Sequence, residues 1–158
     1  MKKFLLPIVA LASIFCASST IFAQGAKQGP VINRDSDMEK DGLHNLEVAR
    51  QYFKLRKAYV AALQRCEEVI AGSPEFSKID EVLFIAGESS LNLAEAKGKQ
   101  KPSQYLGGHL TPDEFREKAR EYLSQLVNEH PESKFRDDAL ADLKILGGVK
   151  AKESKPSQ

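Results

Sequence analysis

Cysteine is nearly absent. Cys16 and Cys66 are the only two in 158 residues. If the first 23 residues are a cleaved leader, as argued below, Cys66 stands alone, and no internal disulfide can form even in an oxidising compartment. Stability must then come from packing. An excess of one charge is missing too. Lys and Arg total 23 against 22 Asp and Glu, and removing residues 1–23 takes two lysines and no acids, leaving a formal charge of −1. No basic excess points to nucleic acid or anionic lipid as a partner. No segment alternates apolar and polar residues between turn dipeptides, and β-branched residues never cluster, so a sheet is not expected. Glycine-rich phosphate loops and serine elbow motifs are lacking. His44, His109 and His130 are far apart, and none lies at metal-ligand spacing with Cys or an acid. The pairs Glu67-Glu68 and Asp137-Asp138 read as solvated helix faces. These absences predict a non-enzymatic chain with no cofactor and no metal.

What is present begins with a leader. Lys2 and Lys3 precede an apolar stretch from Phe4 to Phe15, and small residues Ala17-Ser18-Ser19-Thr20 lead to Ile21-Phe22-Ala23. That order matches a signal peptide over residues 1–23, cut after Ala23, with an apolar part too short to span a bilayer. The mature chain is then exported, to the periplasm or beyond, with no transmembrane span expected. The alternative is lipidation at Cys16, although Phe15 stands where a lipoprotein signal wants a small residue.

Residues 24–42 are predicted to be a flexible leader and 149–158 a disordered tail, both polar and poor in apolar residues. Between them the pattern is helical. Five helices are expected: Leu43–Arg56, Lys57–Ala71, Ile79–Ala96, one capped by Thr111 and ending at Pro131, and Lys134–Leu146. In the fourth, Thr111, Pro112 and Glu114 make a capping box with proline in the first turn.

Two of these segments share a spacing. Ala62, Cys66, Val69 and Pro74 recur 57 residues later as Ala119, Leu123, Leu126 and Pro131. Stacked antiparallel helices need a small residue where backbones approach, larger apolar residues on the next turns, and a breaker where the chain reverses. The shared spacing therefore marks the second helix of a repeating pair. Leu46, Ala49, Phe53 and Tyr59 complete the first unit; Leu83, Ala86 and Gly87 begin the second. The pattern resembles the tetratricopeptide repeat, a unit of about 34 residues, so the longer offset implies an insertion between the helices of the second unit, at about residues 97–111. The links PEFSKIDEVL and PESKFRDDAL are similar to those of periplasmic repeat proteins of the BamD and Tol-Pal coordinator type. The fold this implies over residues 43–148 is a short all-α solenoid of antiparallel helix pairs. At the position where the repeat wants a small residue, Gly87 fits and Arg50 and Lys144 do not. Lys144 suits a terminal helix, and Arg50 is expected to lay its stem along the neighbouring helix with its charge in water.

The resemblance implies a scaffold or adaptor that binds a protein or peptide in the groove lined by the first helix of each pair. Carried over, the groove residues are His44, Glu47, Gln51 and Lys54 from the first unit, and Glu81, Phe84, Glu88 and Leu91 from the second. Phe84 and Leu91 form an apolar pair that a ligand, a second copy of the chain or the insertion would cover. In the insertion, Tyr105, Leu106 and His109 flank a Gly-Gly bend and can dock on the body or on a partner. The family resemblance extends the expectation to outer-membrane assembly or envelope organisation. The competing expectation is a self-associating protein whose groove is buried in a homodimer.

Overall fold

The computed structural model describes residues 34–151; the expected signal peptide, Cys16, residues 24–33 and residues 152–158 lie outside the described residues. The fold is all-α: α1 (Arg34–Arg50), α2 (Tyr59–Gly72), α3 (Ile79–Ala94), α4 (Pro112–Glu129) and α5 (Arg136–Ile145), with no strand among the described residues. A π-helical turn, Gln51–Arg56, continues α1, and a single 3₁₀ turn, Pro102–Gln104, interrupts the insertion. Each helix packs chiefly on the next in the chain, the nearest-neighbour pattern of a repeat stack.

The 57-residue repeat holds down to individual hydrogen bonds. After α2, Ser73 N–H donates to Val69 O (2.8 Å), Phe76 N–H to Ser73 O (3.0 Å), Ile79 N–H to Phe76 O (3.0 Å) and Val82 N–H to Lys78 O (3.3 Å). After α4 the same four bonds recur in the same register: His130 to Leu126 (2.8 Å), Ser133 to His130 (3.0 Å), Arg136 to Ser133 (3.1 Å) and Ala139 to Phe135 (2.9 Å). Two different sequences thus make one turn. Each begins with a helix stopped just before a proline that cannot continue it and reverses the chain within six residues, so α2/α3 and α4/α5 are antiparallel neighbours.

The small residues are where the stack closes. Ala62 and Ala119 have no exposed surface, nor do Cys66, Leu83, Ala86, Leu123 and Leu126. A Cβ built on Gly87 would lie 2.6 Å from the Leu123 side chain, so α3 and α4 approach at a distance that only glycine allows. Fully burying each leucine of this seam is worth about 1.5–3 kcal/mol.

Two expectations about the ends need correction. Helix α1 begins at Arg34, not Leu43, so the second half of the expected flexible leader is helical. Its stretch DSDMEK holds no glycine or proline, and tertiary contacts secure it: Glu39 accepts from the Ser77 N–H (3.2 Å) and hydroxyl. The tail is likewise not free from residue 149 onward, since Lys150 binds α4 through its backbone and its ammonium.

Helices of the same parity lie side by side. Arg50 of α1 reaches Glu81 of α3, and Phe84 of α3 stacks on Phe135 at the start of α5. On the even side, Tyr122 of α4 donates to Glu67 of α2 (2.9 Å). One layer is therefore α1, α3 and α5, and the other is α2 and α4.

Candidate functional site: the face of α1, α3 and α5

Of the eight residues carried over from the repeat resemblance, four are exposed and four are buried or half-buried. His44, Glu47, Gln51 and Lys54 are exposed. Repeat positions past Arg50 assume 3.6 residues per turn. The π-helical turn that starts at Gln51 uses i→i+5 bonding, which shifts the phase of Gln51 and Lys54 relative to His44 and Glu47. Lys57 absorbs the end of that turn in the left-handed region (φ 49°), and Tyr52 O accepts from Ala58 N–H (2.9 Å).

Glu81 is not available to a partner. Only 9% exposed, it accepts from Arg50 Nε and Nη2, both at 2.7 Å. This planar, two-point pairing is the guanidinium's preferred geometry. The Arg50 hydrogen bond holds the Glu81 carboxyl below the ordinary range, against the opposing pull of burial. Arg50 therefore does not leave its charge in water as expected; it uses it to bind α1 to α3, with a further contact to Glu47 at 3.3 Å. The sequence placed Glu81 and Arg50 in different units, and nothing in either unit alone marks them as a pair.

Phe84 is half-buried by the fold itself. Its ring stacks on Phe135 with centroids 4.8 Å apart and planes 15° apart, and Leu91 is half-buried beside the same layer. Phe84 therefore joins α3 to α5 and packs on the core.

Glu88 has the most unusual environment on this face. It lies half-buried against Asp142, with Asp138 and Glu95 nearby. Burial first, then a hydrogen bond with the Asp142 carboxyl and the surrounding acids, push Glu88 up to about 8. Glu88 therefore keeps its proton near neutrality, as a buried acid among other acids does. Beyond it, Ile145 is 81% exposed. The sequence reading missed Asp142 and Ile145, although the 57-residue offset was signal enough, since it carries Glu88 onto Ile145.

The insertion folds over the even layer, away from this face. Lys99 N–H donates to Lys57 O (2.9 Å), and Gln100 Oε1 accepts from Ala61 N–H (3.0 Å), capping α2 from a distance. Gly98 (φ +90°) sits so close to the α1–α2 link that a Cβ would lie 2.5 Å from Lys57 O. Tyr105, expected as a partner contact, is buried. Its ring meets Phe115 edge-on at 5.7 Å, and its hydroxyl donates to Glu67 at 2.7 and 2.9 Å. Lys118 Nζ joins Glu67 at 2.8 Å, so Glu67, read from sequence as a solvated face, is the hub joining α2, α4 and the insertion. Its partners lie 38 to 55 residues away, beyond any local pattern. Leu106 (88% exposed) and His109 remain at the surface.

Among the described residues no group of three or more His, Cys, Asp or Glu is arranged to hold a metal, and no helix is long and apolar enough to cross a membrane. Cys66 is fully buried, and burial, then the charges of Glu67 and Glu81, push its thiol far above the ordinary range, so it is protonated. An open cleft of about 620 Å³ runs between the two equivalent turns, lined by Phe76, Ile79, Asp80, His130, Pro131 and Ser133 among others; the Ser133 hydroxyl donates to Asp80 across it (2.7 Å). Comparison with protein-family models, with curated proteins and with solved structures finds no match for this chain.

Proposed function

We propose that this is an exported, non-enzymatic adaptor of the tetratricopeptide-repeat kind that binds an extended segment of a protein partner along the groove formed by α1, α3 and α5, in outer-membrane assembly or envelope organisation. The observation that carries the reading is the division of labour on that face. Arg50–Glu81 and Phe84–Phe135 fasten the helices together, while His44, Glu47, Gln51 and Lys54 at one end and Ile145 at the other are exposed. Between the ends lies the Glu88–Asp142 pair, suited to a basic side chain of the partner. The experiment places a photo-crosslinking residue at Gln51, Lys54 or Ile145 and, as controls, at Arg65 or Glu121 on the even helices, in cells exporting the full chain. Specific adducts at the first three alone are expected. Equal labelling from both layers, or none, sinks the reading.

A second reading, self-association, is favoured by the exposure of Leu55 (78%) together with Ile145 at opposite ends of the layer. Light scattering separates the two: a dimer that Ile145→Asp dissociates supports a self-covered groove, and a monomer with adducts to another protein supports the adaptor.

A further inference from the structure

The chain leaves α5 through Gly147 and Gly148, both at positive φ (+92° and +94°), with nothing near either where a side chain would be. Gly148 N–H closes the helix on Leu143 O (2.7 Å), and the chain then crosses α4. There a stripe of side chains spaced four apart receives it. Arg120 Nε donates to Gly148 O (2.7 Å), Ser124 Oγ accepts from Lys150 N–H (2.9 Å) and Asn128 Nδ2 donates to Lys150 O (2.9 Å). Such spacing puts the three residues on one face of the helix. All three bonds are to main-chain atoms. One side chain is also read: Lys150 Nζ lies 2.6 Å from Glu117 Oε1, one turn before Arg120. Val149, between the bonded residues, turns outward and is 40% exposed. The seat thus grips the main chain of Gly148 and Lys150 and one lysine side chain and leaves the residue between outside, a backbone-plus-pocket mode that surfaces use to recognise peptides.

We propose that the Glu117–Arg120–Ser124–Asn128 stripe of α4 is a docking seat for an extended, lysine-bearing segment of a partner protein, held in cis by residues 148–150 as a tethered competitor. The Gly-Gly link gives the strap a hinge that swings without backbone strain. Tethering gives it an effective concentration on the order of millimolar, so a segment in trans meets an occupied seat and binds with its affinity reduced by that occupancy. This site is on the even layer and stands independently of the α1/α3/α5 groove.

The test uses the full chain and a fluorescent peptide of sequence GGVKAKES. Lys150→Glu, which sets a carboxylate against Glu117, should release the strap, so the peptide binds this variant about tenfold more tightly than wild type by anisotropy. Adding Glu117→Lys to the Lys150→Glu chain should abolish that gain, because the seat then repels the peptide's lysine. Circular dichroism confirms that all chains are folded, and hydrogen exchange at the amide of residue 150 reads strap release directly. Equal binding to wild type and Lys150→Glu overturns the proposal, as does no binding to either folded chain, or binding indifferent to Glu117→Lys. A wild-type dimer that Lys150→Glu dissociates also overturns it, in favour of tail exchange between two copies.

Discussion

Arg50, Gly87 and Lys144 occupy one repeat position on α1, α3 and α5, and the fold treats them in three ways. Gly87 lies against Leu123 with no room for a methyl group. Lys144 stands in water on the last helix. Arg50 turns sideways and binds Glu81 on the next helix of its own layer. The residue a position demands is set by what faces it: α4 faces Gly87, solvent faces Lys144, and a carboxylate faces Arg50. Smallness is required only where a side chain of the facing helix already fills the space.

The sharpest way to break this comparison is to make the three positions alike. Gly87→Leu should lose about 2–3 kcal/mol by urea denaturation, since overpacking outweighs the gain in helix propensity; Lys144→Leu should stay within about 0.5 kcal/mol. Equal losses would mean that the approach of α3 to α4 is not what selects glycine. Arg50→Ala should cost about 2 kcal/mol, below the range for a fully buried pair because the guanidinium is partly in water. Its pH signature follows from Glu81, whose carboxyl is held low by the Arg50 hydrogen bond. The stabilisation is complete above the ordinary carboxylate range and disappears as pH falls through the depressed value, so wild type and variant should converge in acid. A gap unchanged down to pH 2 would argue that Arg50 acts by packing alone.

Capping gives a gentler contrast. The fourth helix caps itself: Thr111 Oγ1 accepts from Glu114 N–H (3.3 Å), and Glu114 accepts from Thr111 N–H (2.7 Å). In α2 the N-cap Ala58 has no side chain to offer, and Gln100 from the insertion supplies it. Thr111→Ala should cost about 1 kcal/mol and leave the insertion in place. Gln100→Ala should cost about 0.5 kcal/mol and raise hydrogen exchange at Lys99 as well, because cap and anchor are lost together.

A last contrast sets Glu88 against its counterpart Ile145, one titrating and the other not. Glu88 is pushed up to about 8 by burial and by Asp142, so the folded chain keeps a proton that the unfolded chain has released. Wild-type stability should therefore decline as pH rises from about 4.3 to about 8. Glu88→Gln should flatten that decline and gain less than about 1 kcal/mol at pH 8, the half-exposed site being screened. A slope unchanged in Glu88→Gln would assign it to other groups.

Much of the fold was legible in the sequence because its signals are local. Alanine spacing, the turn prolines and the Thr111 box each act within one or two turns of helix, and α2 to α5 stand within two residues of where these put them, while α1 starts nine residues earlier than expected. What could not be read is non-local. The start of α1 depends on Ser77 meeting Glu39, the burial of Tyr105 on Glu67, and the loss of Glu81 from the groove on an arginine 31 residues earlier. The π-helical turn disturbed the carry-over of Gln51 and Lys54 for a different reason: a repeat template fixes phase in advance, and one widened turn changes it. The site was legible as a face and less so as a set of side chains, because the template does not distinguish a residue that fastens helices from one that is free.

Cys66 offers a use that follows from its position. Its sulfur is sealed at the α2 seam, with no exposed surface and a proton it does not readily give up. In a chain carrying Cys16→Ser, a chromogenic disulfide reagent can therefore reach this atom only while the seam is parted, and its colour develops at the rate of parting. The molecule contains its own stopwatch for breathing.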